Sequence, residues 1–344
     1  MMKKIILTGG GTAGHVIPNL ALVPSLKEAG FEVHYIGSRN GIERELVEAA
    51  GIPYYAISSG KLRRYFSVKN AADIFRVSKG LIDAVRVIRK IKPDIVFSKG
   101  GFVVVPVVAA ARLCRIKSVI HESDITPGLA NKLAIPFATK VCVSFPETLA
   151  HIPKSKGILT GSPIRQQLFE GKPLRKIRPT LLVTGGSLGA AAINACVRDA
   201  LPTLLQKFDV VHLCGKGNLS GIQQNGYTEH EYLADEMADI FATADIVVSR
   251  AGANTLFELT ALCKPNLLIP LPLGVSRGDQ IQNAASFQKR GISMVLPEDE
   301  MTPARLAQDV NNLYNNRHQF VTKMKQQEAA NGVKNVLEVI TSSL

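Results

Sequence analysis

The sequence predicts an α/β protein built from two Rossmann-like, doubly wound domains that face each other across a ligand cleft. Three observations carry that expectation. Short β-branched runs alternate with helical patterns, a glycine-rich turn follows the first strand of each half, and the alternation restarts after a segment rich in proline and charge.

The first half opens on "KKIILTGGGTAGHVIPNLAL", residues 3 to 22. An apolar run ends at Gly9, Gly11 and Gly14, a G-x-G-x-x-G turn, and a helical pattern from His15 closes at Gly30. Such a turn lets backbone N–H groups approach a phosphate, and the helix N-terminus adds a positive dipole end. "EVHYIG" reads as the next strand and "IERELVEAAG" as the next helix, closing at Gly51. "DIVFSK", "KSVIHE" and "KVCVSF" follow as buried strands of a parallel sheet. The first domain is placed at 1–162 and the second at 163–324, and "KPLRKIRP" (172–179) reads as a linker. The last helix, near 325–344, is a candidate to pack back on the first domain.

In the second half, "TLLVTGGSLGAAAIN" repeats the strand, glycine turn and small-residue helix. "FDVVHLCG", "DIVVSRAGANTLFELTALC" and "PNLLIPLP" continue the alternation, and the chain from Thr302 onward is helical in pattern. Ser249 and Arg250 end a strand before a turn at Gly252, and the helix after it carries Glu258. An acid so placed could grip the two hydroxyls of a ribose. On spacing alone an ordinary solvent-facing glutamate is favoured. "GDQIQNAA" sets amides at a helix start, where they suit sugar hydroxyls or a plain helix beginning equally.

Composition narrows the class. The chain has 344 residues and a net charge of +13, and its five cysteines are scattered with no C-x-x-C pair, as expected for core residues in a reducing cytoplasm. Residues 1–160 hold 23 Lys+Arg against 11 Asp+Glu, so nearly all the excess lies in the first half. A nucleic-acid groove, an anionic membrane or an anionic substrate would each explain it, beside a merely solvated surface. The longest apolar run, Phe102 to Ala111, contains Pro106 and falls far short of the roughly 18 residues of a membrane span. No secretion signal is expected either.

The first loop alone leaves the cofactor question open. The end of the second strand reads "YIGSRNG", where Ser38 and Arg39 would suit the extra phosphate of NADPH. An NADPH-dependent oxidoreductase is therefore the alternative reading, although it leaves the second loop and Glu258 without a task. A catalytically silent lipid-binding module would account for the basic half and not for the cleft residues.

Six ordered segments, "GGGTAGH", "HESDITPGLANK", "TGSPIR", "TGGSLGA", "SRAGANTLFE" and "DQIQNA", closely resemble the MurG family of bacterial peptidoglycan glycosyltransferases. The resemblance runs from the first strand past residue 295. It implies a GT-B fold and an inverting transfer of N-acetylglucosamine from UDP-N-acetylglucosamine to the muramyl 4-hydroxyl of lipid I, giving lipid II. The donor would lie mainly on the C-terminal domain and the lipid acceptor on the N-terminal one. It also implies a peripheral enzyme on the cytoplasmic face of the bacterial cell membrane, in contact with an anionic membrane surface. No cofactor and no nucleic acid are expected, and other cell-wall synthesis enzymes are candidate partners. No Asp-x-Asp pair lies beside a strand end, so no catalytic metal is expected.

Carried over by position, Thr12, Ala13 and Gly14 match the loop near the donor's sugar and phosphates. His15 matches the loop histidine, the first candidate for proton or phosphate work because imidazole titrates near neutrality. Arg165 and Ser187 match donor-phosphate contacts, Leu233 the uracil reader, Glu258 the ribose acid and Gln280 the sugar amide. Gly11, His15, His121 and Glu122 match the acceptor side. Three residues depart from common family members: Ala13 for a glycine, Asp124 for an asparagine, and Phe102 for a tyrosine. Asp124 is a second candidate base.

Overall fold

In the computed structural model the chain forms two compact units, Met1–Arg165 with Asn331–Leu344, and Gln166–Ala330. The structure describes residues 2–60, 69–186, 189–233, 236–327 and 332–344, without the side chains of 69–75. Ser187 therefore lies outside the described residues.

The first unit runs β1 (Lys3–Thr8), α1 (Ala13–Glu28), β2 (Phe31–Ser38), α2 (Ile42–Ala49), β3 (Tyr54–Ile57), α3 (Lys69–Ile91) and β4 (Ile95–Ser98). It continues through α4 (Val104–Leu113), β5 (Lys117–Glu122), α5 (Leu129–Ala134), β6 (Lys140–Val143) and β7 (Gly157–Leu159). The second unit holds β8 (Thr180–Thr184), α6 (Ala191–Leu204), β9 (Asp209–Leu213), β10 (Tyr227–His230), α7 (Met237–Thr243) and β11 (Ile246–Ser249). After these come α8 (Ala253–Ala261), β12 (Asn266–Leu268), α9 (Asp279–Lys289), β13 (Met294–Val295), α10 (Pro303–Asn315) and α11 (Arg317–Lys325). The chain ends in α12 (Gly332–Ser342), which belongs to the first unit.

The predicted class of two doubly wound α/β domains with parallel sheets holds. The first sheet is ordered β3-β2-β1-β4-β5-β6-β7 and the second β10-β9-β8-β11-β12-β13. Every pairing is parallel. Strand order reverses between β1 and β4 in one sheet and between β8 and β11 in the other. In open α/β sheets a ligand crevice forms at that reversal, beyond the carboxyl ends of the strands. The loops after β1, β4, β8 and β11 are the ones that carry the sequence motifs.

Packing explains the strand composition. The first sheet has helices on both faces: Ala84, Ile88, Val104 and Val108 cover one side with Ile6 and Val96. Leu22, Leu26, Val336 and Ile340 cover the other with Ile5 and Phe97. Strands buried on two faces read as unbroken apolar runs, which is why β1 and β4 were legible. Each fully buried aliphatic side chain contributes roughly 1.5–3 kcal/mol, enough to hold α12 against α1. Helix α3 turns Ala84, Ile88 and Ile91 inward and Arg86, Arg89 and Lys90 outward. Gly30 and Gly51 sit at positive φ just after α1 and α2, the left-handed turn expected at a helix end.

One reading needs correction. The segment 172–179 is no free linker, because the second unit holds it at every second residue from Lys172 to Arg178. Lys172 N donates to Asp239 at 2.7 Å, Leu174 N to Thr243 Oγ1 at 2.8 Å, and Lys176 Nζ pairs with Asp245 at 2.6 Å. Arg178 Nε donates to Asp209 at 3.0 Å.

Candidate functional site

In the first unit, the loops after β1 and β4 pack backbone to backbone. Gly10 N donates to the Gly100 carbonyl at 3.2 Å, and Gly101, at φ +91°, lies so close to Gly10 that any side chain there would strike its carbonyl. This contact forms the ledge for His15. The His15 Nδ1–H donates to the Gly10 carbonyl at 2.9 Å, with the Thr12 hydroxyl oxygen a second, longer acceptor at 3.2 Å. A proton on Nδ1 puts the acceptor lone pair on Nε2. The Nε2–Cδ2 edge lies beside Gly100, where an added Cβ would stand 3.1 Å from Cδ2 and 3.2 Å from Nε2. A base held in one tautomer, at the mouth of the strand-order reversal, is suited to take a hydroxyl proton. Gly11 and Thr12 are exposed, and Ala13, Gly14 and His15 are partly exposed at the start of α1.

One N–H of the glycine turn is already committed to a carboxylate of the fold. Glu43, fully buried in the first turns of α2, places its carboxylate against the turn and accepts from Gly11 N at 3.1 Å. It also accepts from Ser38 N at 3.0 Å and from the Ser38 hydroxyl. The end of β2 therefore carries an acid, supplied five residues after Ser38. That geometry tells against a 2′-phosphate at Ser38 and Arg39, because the phosphate would meet a buried carboxylate.

His121 and Glu122, carried over as acceptor residues, are buried and committed within the fold. The His121 Nε2–H donates to the Gly161 carbonyl at 2.8 Å, and its Nδ1 accepts from Lys99 Nζ at 2.7 Å. Burial and the neighbouring ammonium push the His121 pKa well below the usual imidazole range. Glu122 accepts from Asp124 N and Gly128 N, both at 3.0 Å, and from Asn131 Nδ2 at 2.8 Å. Together they shape the loop that presents Asp124, which is half-buried and takes the Thr148 hydroxyl on its carbonyl at 3.1 Å. Phe102 is partly exposed two residues beyond Gly100, and Arg165, the last residue of the first unit's N-terminal segment, is also partly exposed.

Lys99 was absent from the sequence reading and is the most unusual charge in this unit. It is 1% exposed, and burial lowers its pKa from 10.5 to about 7 despite Glu122, Cys142 and Asp124 favouring the charged form. Between those two values the unfolded chain binds more protons than the folded one at this group. Its contribution to stability therefore rises with pH from about 7 toward 10.5 and is smallest in acid. Urea unfolding of wild type and Lys99→Met at pH 6.5, 7.5 and 8.5 checks the sign. The difference should move in favour of wild type by about 1 kcal/mol per pH unit above 7, and a pH-independent difference would contradict it.

In the second unit, the loops after β8 and β11 occupy the equivalent positions. The β8 turn is closed by Gly189 N donating to Gly186 O at 2.9 Å, and Gly189 lies against the Cys214 carbonyl with no room for a side chain. After β11, the Arg250 guanidinium donates to the Ile269 carbonyl at 3.1 Å and pairs with Glu298, so it braces the end of β12. Gly252 then starts α8, on which Asn254 and Glu258 share a face one turn apart, both partly exposed. Gln280, in the first turn of α9, spends its Oε1 on Ala251 N at 3.3 Å and Leu271 N at 3.1 Å. Its Nε2 is thereby turned the other way, as a donor suited to a hydroxyl. Leu233 is partly buried in the loop between β10 and α7. The structure thus sets Gln280 against the turn before α8 and Glu258 on that helix, and places His15, Gly11, Thr12 and Gly14 together at the turn after β1.

Comparison with known proteins agrees with this division. The profile of the glycosyltransferase family 28 N-terminal domain matches residues 5–143, and that of the family's C-terminal domain matches residues 180–340. A Clostridium botulinum (strain 657) protein is 56% identical over 98% of this chain and 99% of its own length. A Lachnospira eligens protein is likewise 56% identical, over 98% of this chain and 99% of its own. Both are named UDP-N-acetylglucosamine--N-acetylmuramyl-(pentapeptide) pyrophosphoryl-undecaprenol N-acetylglucosamine transferase. Among solved structures, MurG of Acinetobacter baumannii superposes with a TM-score of 0.80 at 28% identity, covering 99% of both chains. The kitacinnamycin glycosyltransferase shares the fold at 14% identity and a TM-score of 0.76.

Proposed function

Because this chain belongs to glycosyltransferase family 28, we propose that it moves N-acetylglucosamine from UDP-N-acetylglucosamine to the muramyl 4-hydroxyl of lipid I, giving lipid II for peptidoglycan synthesis. The observation that carries this reading is the 56% identity to transferases of that name along 98% of the chain. No finding supports the oxidoreductase alternative, and the buried Glu43 at the first turn weighs against it.

In this mechanism the acceptor hydroxyl attacks the anomeric carbon of the α-linked donor in one displacement, giving a β-1,4 bond. His15 Nε2 takes the hydroxyl proton while UDP leaves with the bonding electron pair. Glu258 grips the ribose hydroxyls, Gln280 Nε2 a sugar hydroxyl, and the backbone near Leu233 the uracil. Arg165, Ser187 and the turn at Thr12, Ala13 and Gly14 offset the charge that grows on the diphosphate. Asp124 is the second candidate base, and Gly11, His121 and Glu122 serve the acceptor side, the latter two by shaping the loop. Turnover of a soluble lipid I analogue with UDP-N-acetylglucosamine tests the activity. Calorimetry that found NADPH bound and UDP-N-acetylglucosamine ignored would overturn it.

The acceptor named for the relatives is linked to a polyprenol, so the enzyme works at a membrane surface, in this reading the cytoplasmic face. Among the described residues no helix is long and apolar enough to cross a membrane. The segment "KLRRYFSVKNAADIFR" (61–76) mixes basic and aromatic residues; 61–68 and the side chains to 75 lie outside the described residues. Each basic residue near an anionic bilayer contributes on the order of 1 kcal/mol, screened by salt. Liposome co-sedimentation is expected to require anionic lipid, weaken with salt, and fall at least tenfold for Arg63→Glu/Arg64→Glu. Equal binding to neutral vesicles would refute peripheral attachment through this segment.

A further inference from the structure

Along the open edge of the second sheet lies a cavity of about 450 Å³ for which the proposed mechanism has no use. It is enclosed by β13, the end of α9, and the facing sides of α10 and α11. That volume is within the range of small-molecule sites. Glu258 and Gln280 take no part in its lining, and β13 stands two strands away from β11. The wall is polar, and its charges do not cancel. Arg305 and Asp309, one turn apart on α10, are spent on each other, Nε donating to the carboxylate at 2.9 Å. Lys323 on α11 has no ion-pair partner among the described residues. Its ammonium lies over Gly291, whose φ of +68° and missing side chain make the room; a Cβ there would strike Nζ.

A second, independent observation points to a ligand. Ser293 lines the cavity at 3% exposure, and its hydroxyl has no hydrogen-bond partner among the described residues. A buried hydroxyl left without a partner costs stability, and a ligand oxygen meeting it removes that cost. We propose that this cavity is a binding site for a small organic oxyanion, a carboxylate or a phosphate monoester, held by the Lys323 ammonium and the Ser293 hydroxyl. The single uncompensated positive charge selects the anion, and the rest of the wall suits a polar body. Asn312 on α10 contributes an amide and Phe320 on α11 an apolar surface. The backbone adds to this. Leu296 N donates to the Leu268 carbonyl at 2.9 Å, so the Val295 peptide groups, one residue earlier, turn toward the open edge. The site stands apart from the transferase reading, since none of its residues serves the donor or the acceptor there.

Three probes with one three-carbon body test this: glycerol 3-phosphate, glycerate and neutral glycerol. Each is titrated by calorimetry into the full chain, with and without saturating UDP. At least one of the two anions should bind saturably under both conditions, and glycerol should give no saturable heat. Which anion binds tells phosphate from carboxylate. Lys323→Met, a change at an exposed position, should weaken that binding at least fivefold. Ser293→Ala should weaken it too, while raising the melting temperature by about 2 °C, because an unpartnered buried hydroxyl is gone. A serine kept only for packing would not trade stability for binding in this way. Four results would each overturn the proposal: no saturable binding of either anion, glycerol binding as tightly as they do, anion binding abolished by UDP, or a loss under fivefold in Lys323→Met. Unchanged anion affinity in Ser293→Ala would do the same.

Discussion

His15→Ala should lower kcat about a hundredfold or more while donor KM changes little, the largest single-residue effect expected in this protein. The imidazole owes its orientation to the Gly10 carbonyl, which takes the Nδ1 proton at 2.9 Å and so dedicates Nε2 to accepting one. In the proposed mechanism, removing the ring removes the base and leaves the donor contacts of the second unit in place, so the loss is expected in kcat. His15→Asn refines the test, because its amide can still donate to the Gly10 carbonyl yet offers no basic nitrogen. It should be as slow as alanine with better stability. The measurement is initial rate against both substrates, with the melting temperature recorded in parallel. A fall in melting temperature with unchanged turnover per folded enzyme would reduce His15 to a packing residue.

Glu258→Ala should raise the donor KM and weaken UDP binding by roughly ten- to a hundredfold. Glu258 stands partly exposed on the second turn of α8, on the face it shares with Asn254. A carboxylate accepting from ribose hydroxyls there makes charge-assisted hydrogen bonds worth about 1.5–3 kcal/mol. The loss should be the same for UDP and for UDP-N-acetylglucosamine, because the ribose is common to both. Deoxyuridine and uridine diphosphates should differ in wild type and converge in the variant. Unchanged UDP affinity in a folded Glu258→Ala protein would remove this residue from the donor site.

The strands found from sequence were the interior ones: β1, β2, β4, β5 and β6 in one sheet and β8, β9, β11 and β12 in the other. The four that escaped, β3, β7, β10 and β13, are the sheet edges. An interior strand packed on both faces must be apolar throughout, and that need is written in consecutive residues. An edge strand of two to four residues, such as Met294–Val295, has no such run. The glycine turns were legible for a similar reason, since backbone approach at Gly101 or Gly189 excludes every side chain.

By itself, then, the sequence determined the two α/β halves, the position of both glycine turns and, through ordered motifs, the family. Tertiary structure alone decided how the polar side chains are spent. Glu43 meets Gly11 across 32 residues and Lys99 meets His121 across 22, so neither contact leaves a local pattern. The same holds for Lys176 and Asp245, 69 residues apart, whose pairing turned an apparent linker into a fixed strap. Strand and turn formation depend on steric and burial rules that act between near neighbours. The partner of a buried charge depends on which distant segment the sheet order brings beside it, because a charge removed from water must be paired by whatever group is there.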